Sequence, residues 1–539
     1  MPTSRPSSWP GSDARSSEVV RMETTARAGR RKWAGLAVLC LPTMLTTIDL
    51  NVMLLALPHI SADLDSTATE QLWMIDIYGF VIAGFLITMG AVGDRIGRRR
   101  LLLIGAVGFI GTSLMAAFAV SSTMLIVARA LIGVAGATVM PTVLAMIRTM
   151  FADPKQMSVA MALWGTSLTA GVVLGPIVGG LMLGIFWWGA IFLIALPIMG
   201  VVLVVGPFLV PESRDPDPKP LDPTSVAMSL AAILTTIYGL KEIATHGWST
   251  VPVSAVSVGV VVGLGFIKRQ RTVSGPLLDL NLLRDRAVGA ALVLAMGSAF
   301  VSGGIGLVSV LYLQLVSGLT PLRVGLLLLM PALALVIVGN LTPIIARKVR
   351  PSSILVTGLM ISAIGAVIIS QAHTTHGLAV LLGGLIVLYL GSGPIGTLIP
   401  FIVMSAAPRE KSGTVGSLPG TVGEFGVALG VAVLGLVSGA VYRANLDLPA
   451  QLPAPAAEAA KESLAGAMAV AADPDLGSAA IDLVTSAQGA FGAGLGLVGL
   501  TTAFLLIGFA VLAAAGLQHV PTIDDMSMGA AASDDAEPH

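Results

Sequence analysis

From residue 33 onward the chain alternates long apolar stretches with short polar ones, and the apolar stretches are too long for one buried stripe on a soluble helix. About 20 consecutive apolar residues make one helical crossing of a bilayer. By that measure the pattern predicts spans near 33–57, 71–92, 101–121, 123–147, 157–183, 186–210, 224–244, 249–267, 288–315, 322–346, 353–371, 378–403, 412–441 and 488–518, fourteen in all.

The polar intervals test that count, because cytoplasmic loops of membrane proteins collect Lys and Arg. With the N-terminus inside, the cytoplasmic segments hold 25 of the 30 basic residues, the outer loops and the outer ends of spans hold Lys241, Arg323, Arg443 and Lys461, and Arg129 alone falls well within a span. Both termini are therefore expected in the cytoplasm. Composition agrees: of 539 residues 55% are hydrophobic and 11% charged, whereas soluble domains carry roughly 25% charge. The expectation is an all-α polytopic membrane protein with lipid as its constant partner. Its single cysteine, Cys40, excludes an intrachain disulfide. No G-x-x-x-x-G-K-[ST] phosphate loop occurs, and little soluble mass remains to house a nucleotide domain, so ATP is not expected to drive it. No enzyme chemistry, cofactor, metal or nucleic-acid partner is expected.

A weak repeat organises the spans. "GAVGDRIGRRR" (Gly90 to Arg100) follows span 2, and "GNLTPIIARKVR" (Gly339 to Arg350) follows span 10; each is a Gly-led inner turn with a basic cluster. Pairing them sets spans 1–6 against spans 9–14. The predicted order is a tail 1–32, a six-helix bundle 33–210, a linker 211–223, inserted spans 7 and 8 in 224–267, a second bundle 288–518, and a tail 519–539. Two halves rocking about a midplane site is a common transporter architecture. The long outer loop 442–487 contains "AAEAAKESLAGAMAVAA", Ala-rich enough for helix, with a disordered spacer as the other reading.

"GDRIGRRR" resembles the loop 2–3 signature of the major facilitator superfamily, and the charge pattern places it on the inner side, where that signature belongs. Gly90, Asp94, Arg95, Gly97 and Arg98 would form its gating turn, with Asp94 receiving Arg hydrogen bonds or meeting a helix N-terminus. "GVVLGPIVGG" in span 5 is similar to the signature of the superfamily's exchangers. Its Gly171, Gly175 and Gly179, four apart, share one helix face that admits a close neighbour, and Pro176 removes a backbone donor. "TTIDLNVMLLALP", "LWMIDIY", "ARALIGVAGA" and "PLLDLNLLRDR" narrow the resemblance to the fourteen-span drug/proton antiporters, among them the QacA-like exporters. That family usually carries Thr near Asn51, and Asn near Leu54 and Ala195; this sequence departs from it there.

Four ionisable residues lie well inside spans: Asp49, Asp76, Arg129 and Glu424. A carboxylate deep in a membrane costs roughly 2.5–3.5 kcal/mol on insertion scales, so it persists where it has a partner, a watery cavity or a function. At 1.5 Å per residue Asp49, Asp76 and Arg129 all sit about 9–13 Å below the outer surface. Arg129 is expected to pair with one of the two acids, as a structural staple or as part of a coupling site. Glu424 borders a stripe of glycines at 413, 416, 420, 423, 426 and 430 in span 13, taken as one close-packed face. It is read as a proton or cation site, or as a protonated structural acid. Trp73, Tyr78, Trp164 and Phe425 are candidate contacts for a lipophilic cation.

The resemblance implies a proton-coupled antiporter of the bacterial inner membrane, driven by the proton gradient alone, that exports lipophilic cationic drugs such as quaternary ammonium compounds, dyes and antiseptics. An exporter of an endogenous metabolite or lipid fits the same motifs. A non-transporting sensor or scaffold would not need acids in both halves together with the exchanger glycines.

Overall fold

The computed structural model describes residues 29–525, apart from 67, 215–221, 247–248, 274–284, 373–376, 407–411, 450–451 and 474–475. Both distal tails, the linker centre, most of "PLLDLNLLRDR" and the histidines at 373 and 376 thus lie outside the described residues, as do the side chains of Asp76, Pro176 and His246. The described residues are helical throughout, with no strand.

Fourteen helices are long and apolar enough to cross a membrane: Arg30–Met53, Trp73–Ile96, Arg98–Ala117, Ser122–Met150, Pro154–Ile185, Ala190–Leu209, Pro223–Leu240, Thr250–Gln270, Arg286–Val316, Arg323–Ile345, Pro351–Ile369, Gly377–Ala406, Val415–Asn445 and Ser478–Gly516. These are spans 1 to 14. Local chemistry sets several starts. The Ser121 hydroxyl accepts from the Met124 amide at 3.2 Å, Asp153 caps a helix that opens on Pro154, and Asp285 accepts from the amides of Ala287 and Val288. Each satisfies donors that a helix start leaves open.

Spans 1–6 and spans 9–14 form two bundles. Small residues let the helices within each approach closely. A Cβ at Gly303 would lie 2.7 Å from the Val427 carbonyl, and one at Gly358 2.5 Å from that of Gly391, so spans 9 and 13, and spans 11 and 12, touch along their backbones. The inserted span 7 packs where the halves meet, its Ile233 and Ile237 clustering with Phe80, Ala83 and Ile87 of span 2 and Ala428 of span 13. Span 8 packs on span 7 and turns Val258, Val261 and Leu264 outward. At the inner end of this hairpin Asp222 accepts from Arg269 Nε at 2.6 Å and Nη2 at 3.0 Å, and from the Ser225 hydroxyl at 2.7 Å. The Arg269 hydrogen bonds first, then Ser225, hold the Asp222 carboxyl well below the usual carboxylate range.

The outer loop contains helices Ala454–Glu462 and Leu464–Ala471, so the spacer reading gives way to a folded cap. Its Ala460, Leu464 and Ala467 are buried, and the Tyr442 hydroxyl donates to the Ala460 carbonyl at 2.8 Å. Span 14 begins at Ser478, ten residues before the predicted 488, because residues 478–487 extend its helix outward beyond the apolar run.

The halves also meet at the end expected to be cytoplasmic. Arg148 at the end of span 4 donates to the Met404 carbonyl at the end of span 12. Beyond span 14 the chain turns back beneath the second bundle. Ile523, fully buried, donates its amide to the Ala346 carbonyl at 3.0 Å, and Asp524 pairs with Lys155 of span 5 at 2.8 Å.

Candidate transport cavity and its charged groups

Between the halves lies a cavity of about 420 Å³. The N-terminal half contributes Met140, Leu144, Trp164 and Leu168, and the C-terminal half contributes residues of spans 9, 10, 12 and 13, including Ser298, Ser302, Tyr389 and Gly423. No Asp, Glu, Lys, Arg or His is among its lining residues. Counted along spans 5 and 13, the lining lies near the bilayer midplane.

The charged groups lie toward the end expected to face outward. Arg129 is fully buried and forms an ion pair with Asp49 of span 1. Its Nε donates to the Met74 carbonyl of span 2 at 3.1 Å, and its guanidinium lies 4.6 Å from the centre of the Tyr78 ring. Nη2 is buried without a hydrogen-bond partner among the described residues. Tyr78 in turn donates to the Thr46 carbonyl of span 1 at 3.3 Å. One arginine therefore ties spans 1, 2 and 4 together. A void of about 10 Å³, close to the volume one water needs, lies against Asp49 and is lined by Ile191, Phe192 and Ala195 of span 6. Ala195 is one of the positions at which the sequence departs from the family pattern.

Glu424 sits in the other half, half-buried, between Gly423, which lines the cavity, and Phe425, which packs against the span 2 and span 7 cluster. The backbone of Asp76 lies in span 2, two residues from Tyr78.

The glycines of span 5 face span 1. A Cβ at Gly171 would strike Thr47 and the Met44 carbonyl, one at Gly175 would lie 2.7 Å from Asn51 Cβ, and one at Gly179 would lie 3.0 Å from a Val52 methyl. This face holds the helix that carries Asp49. Glycines of span 13 divide among several faces instead of sharing one. Gly416 and Gly420 meet spans 4 and 2, Gly426 and Gly430 press on span 9, and Gly423 has open space before it. Helix crossing angles spread the stripe over three neighbours.

At the inner turn Gly97 adopts φ +106°, a conformation that favours glycine, and a Cβ there would also meet the Glu212 carboxylate. Arg98 is buried and donates through Nε and Nη2 to Asp94 at 3.0 and 2.9 Å, and through Nη1 to Ser213 at 3.1 Å and Thr149 at 3.3 Å. The turn thereby joins span 2 to the inner ends of spans 4 and 6. Gly90 is buried in the last turns of span 2, and Arg95 lies half-buried at its end.

The four aromatic candidates separate. Trp164 lines the cavity, Tyr78 lies under Arg129, Phe425 belongs to the seam cluster, and Trp73 is 37% exposed and stacks on Tyr238 of span 7 with centroids 6.1 Å apart. Sequence reasoning did not single out Ser298, Ser302 or Tyr389. The i, i+4 spacing of the two serines in span 9 was the available signal.

Two bundles around a midplane cavity, an inner Gly-Asp-Arg turn and a glycine face on span 5 agree with one family, and residues 39–431 match its model, described as Major Facilitator Superfamily. The chain belongs to the Major Facilitator Superfamily. It is 40% identical over 491 residues, 91% of this chain and 97% of the other, to the multidrug efflux pump LfrA of Mycolicibacterium smegmatis. To the methyl viologen resistance protein SmvA of Salmonella typhimurium it is 32% identical, covering 84% of this chain and 92% of that one. The tetracenomycin C resistance and export protein of Streptomyces glaucescens is 29% identical over 76% of each chain. Among solved structures, the human organic anion transporter MFSD10 shares the fold, with a TM-score of 0.56, 17% identity and coverage of 88% of this chain and 99% of that one. This member of the superfamily is a multi-pass membrane transporter and not an enzyme.

Proposed function

We propose that this transporter exports lipophilic, mostly cationic drugs across the bacterial inner membrane in exchange for protons, with both termini in the cytoplasm. The observation that carries the reading is a midplane cavity flanked by acids in both halves. Asp49 shares its carboxylate with Arg129, so a proton arriving at Asp49 competes with the guanidinium for the same charge. In this reading Glu424, next to the cavity-lining Gly423, answers a substrate's positive charge or takes a proton in its absence. Asp76 completes the candidate set by its place in span 2. The gradient is the energy source in this reading, and no cofactor takes part. The names of the relatives, efflux pumps and resistance proteins, support drugs as the cargo.

The reading is tested by loading cells with ethidium and following efflux with and without a protonophore. Expression should raise the efflux rate, and the protonophore should remove that increment. Efflux that persists after the gradient is collapsed would remove proton coupling from the account.

A further inference from the structure

The cavity has two unlike walls. On the N-terminal side it is built from Met140, Leu144, Trp164 and Leu168, which offer flat apolar area. Hydroxyls line the C-terminal side, and each carries one hydrogen that needs an acceptor. Ser392 is already engaged, donating to the Leu388 carbonyl at 2.9 Å. Ser302 and Tyr389 face the same cavity from spans 9 and 12. Ser298, one turn from Ser302 on span 9, bonds to none of the described residues. The hydroxyl hydrogens of Ser298, Ser302 and Tyr389 are thus left to the cavity, and no carboxylate or amide side chain lines it to receive them.

We infer that Ser298, Ser302 and Tyr389 form a donor wall that selects polycyclic aromatic substrates bearing acceptor oxygens, such as quinone, carbonyl or ether edges, over ring cations that lack them. The inference rests on the export reading above and narrows its substrate class. Water meets these hydroxyls when the cavity holds no drug. A ligand that displaces the water must supply oxygens in its place or leave the donors unmet. The net worth of one such hydrogen bond corresponds to roughly a two- to tenfold change in affinity. The opposite wall stacks on the ring faces whatever their substituents, so it contributes to both ligand classes alike.

The test compares efflux of daunorubicin, a hydroxyanthraquinone, with that of ethidium, a ring cation without oxygen, in cells expressing wild type, Tyr389→Phe or Ser298→Ala, each quantified in the membrane. Either variant should slow daunorubicin efflux roughly two- to tenfold and leave ethidium within about twofold. If Tyr389→Phe does not reach the membrane, Ser298→Ala decides. Equal losses for both probes, unchanged daunorubicin efflux in the variants, or a wild type that exports ethidium but not daunorubicin would overturn the donor wall. A wild type that exports neither probe would instead overturn the export reading itself.

Discussion

Arg129 holds its place by an ion pair to Asp49, a bond to the Met74 carbonyl and the Tyr78 ring beneath it. Removing one partner of a buried pair leaves a charge without compensation and costs about 3–5 kcal/mol. Arg129→Ala is therefore expected to lower the melting temperature in detergent and to abolish efflux. Adding Asp49→Asn should restore part of the stability, whereas simple addition of the two losses would show the residues uncoupled. This much was legible in the sequence, because a charge in an apolar span is expensive and helix rise fixes its depth. Which acid faces Arg129 was not legible, since that depends on how each helix is rotated against its neighbours. The hydroxyls of Ser298 and Tyr389 were also hidden. Such groups occur throughout membrane helices, and only the packing of spans 9 and 12 turns these toward the cavity.

At the scale of the helices, glycine has two different meanings here. Gly175→Ala would put a methyl 2.7 Å from Asn51 Cβ, and overpacking of that kind costs about 1–3 kcal/mol. Gly423→Ala meets nothing within 4 Å and replaces a residue that weakens helices by about 0.5–1 kcal/mol, so it should be neutral or slightly stabilising. Thermal melts of the two variants check the contrast; similar shifts would refute it. The span 5 face was readable from its four-residue spacing, while the span 13 stripe misled because crossing helices divide it. Asp222 gives a prediction about pH. A carboxyl whose folded value lies below its unfolded one stabilises the protein above the unfolded value, and that contribution is lost only as pH falls through the folded one. The Asp222–Arg269 clamp should therefore be constant from pH 5 to 8, where an ordinary Asp, near 3.9, is also ionised. Asp222→Asn should lower stability by the same amount at both ends of that range; a deficit that shrinks on acidification within it would contradict the assignment.

Across the whole molecule, the fourteen spans followed from hydropathy, because the bilayer constrains their length strongly. The cytoplasmic closure did not, since it joins residues as far apart as Arg148 and Met404 and uses backbone carbonyls that no motif marks. Loosening it with Arg148→Ala and Lys155→Ala should favour opening inward. In a Cys40→Ser background, a cysteine introduced at Ser302 should then react about fivefold faster with a membrane-impermeant maleimide supplied from the cytoplasmic face, as expected for loss of roughly 1 kcal/mol. Unchanged reactivity would show that these contacts do not hold the halves together. The central claim, exchange of drug for protons through acids beside the midplane cavity, is tested most directly by purified protein in liposomes under an imposed pH gradient. Wild type should accumulate ethidium only while a lumen-acid gradient stands and should alkalinise the lumen in step with the ethidium moved, because protons leave as drug enters, and Asp49→Asn should do neither. Ethidium accumulation without a gradient, or gradient-driven accumulation undiminished in Asp49→Asn, would contradict the account.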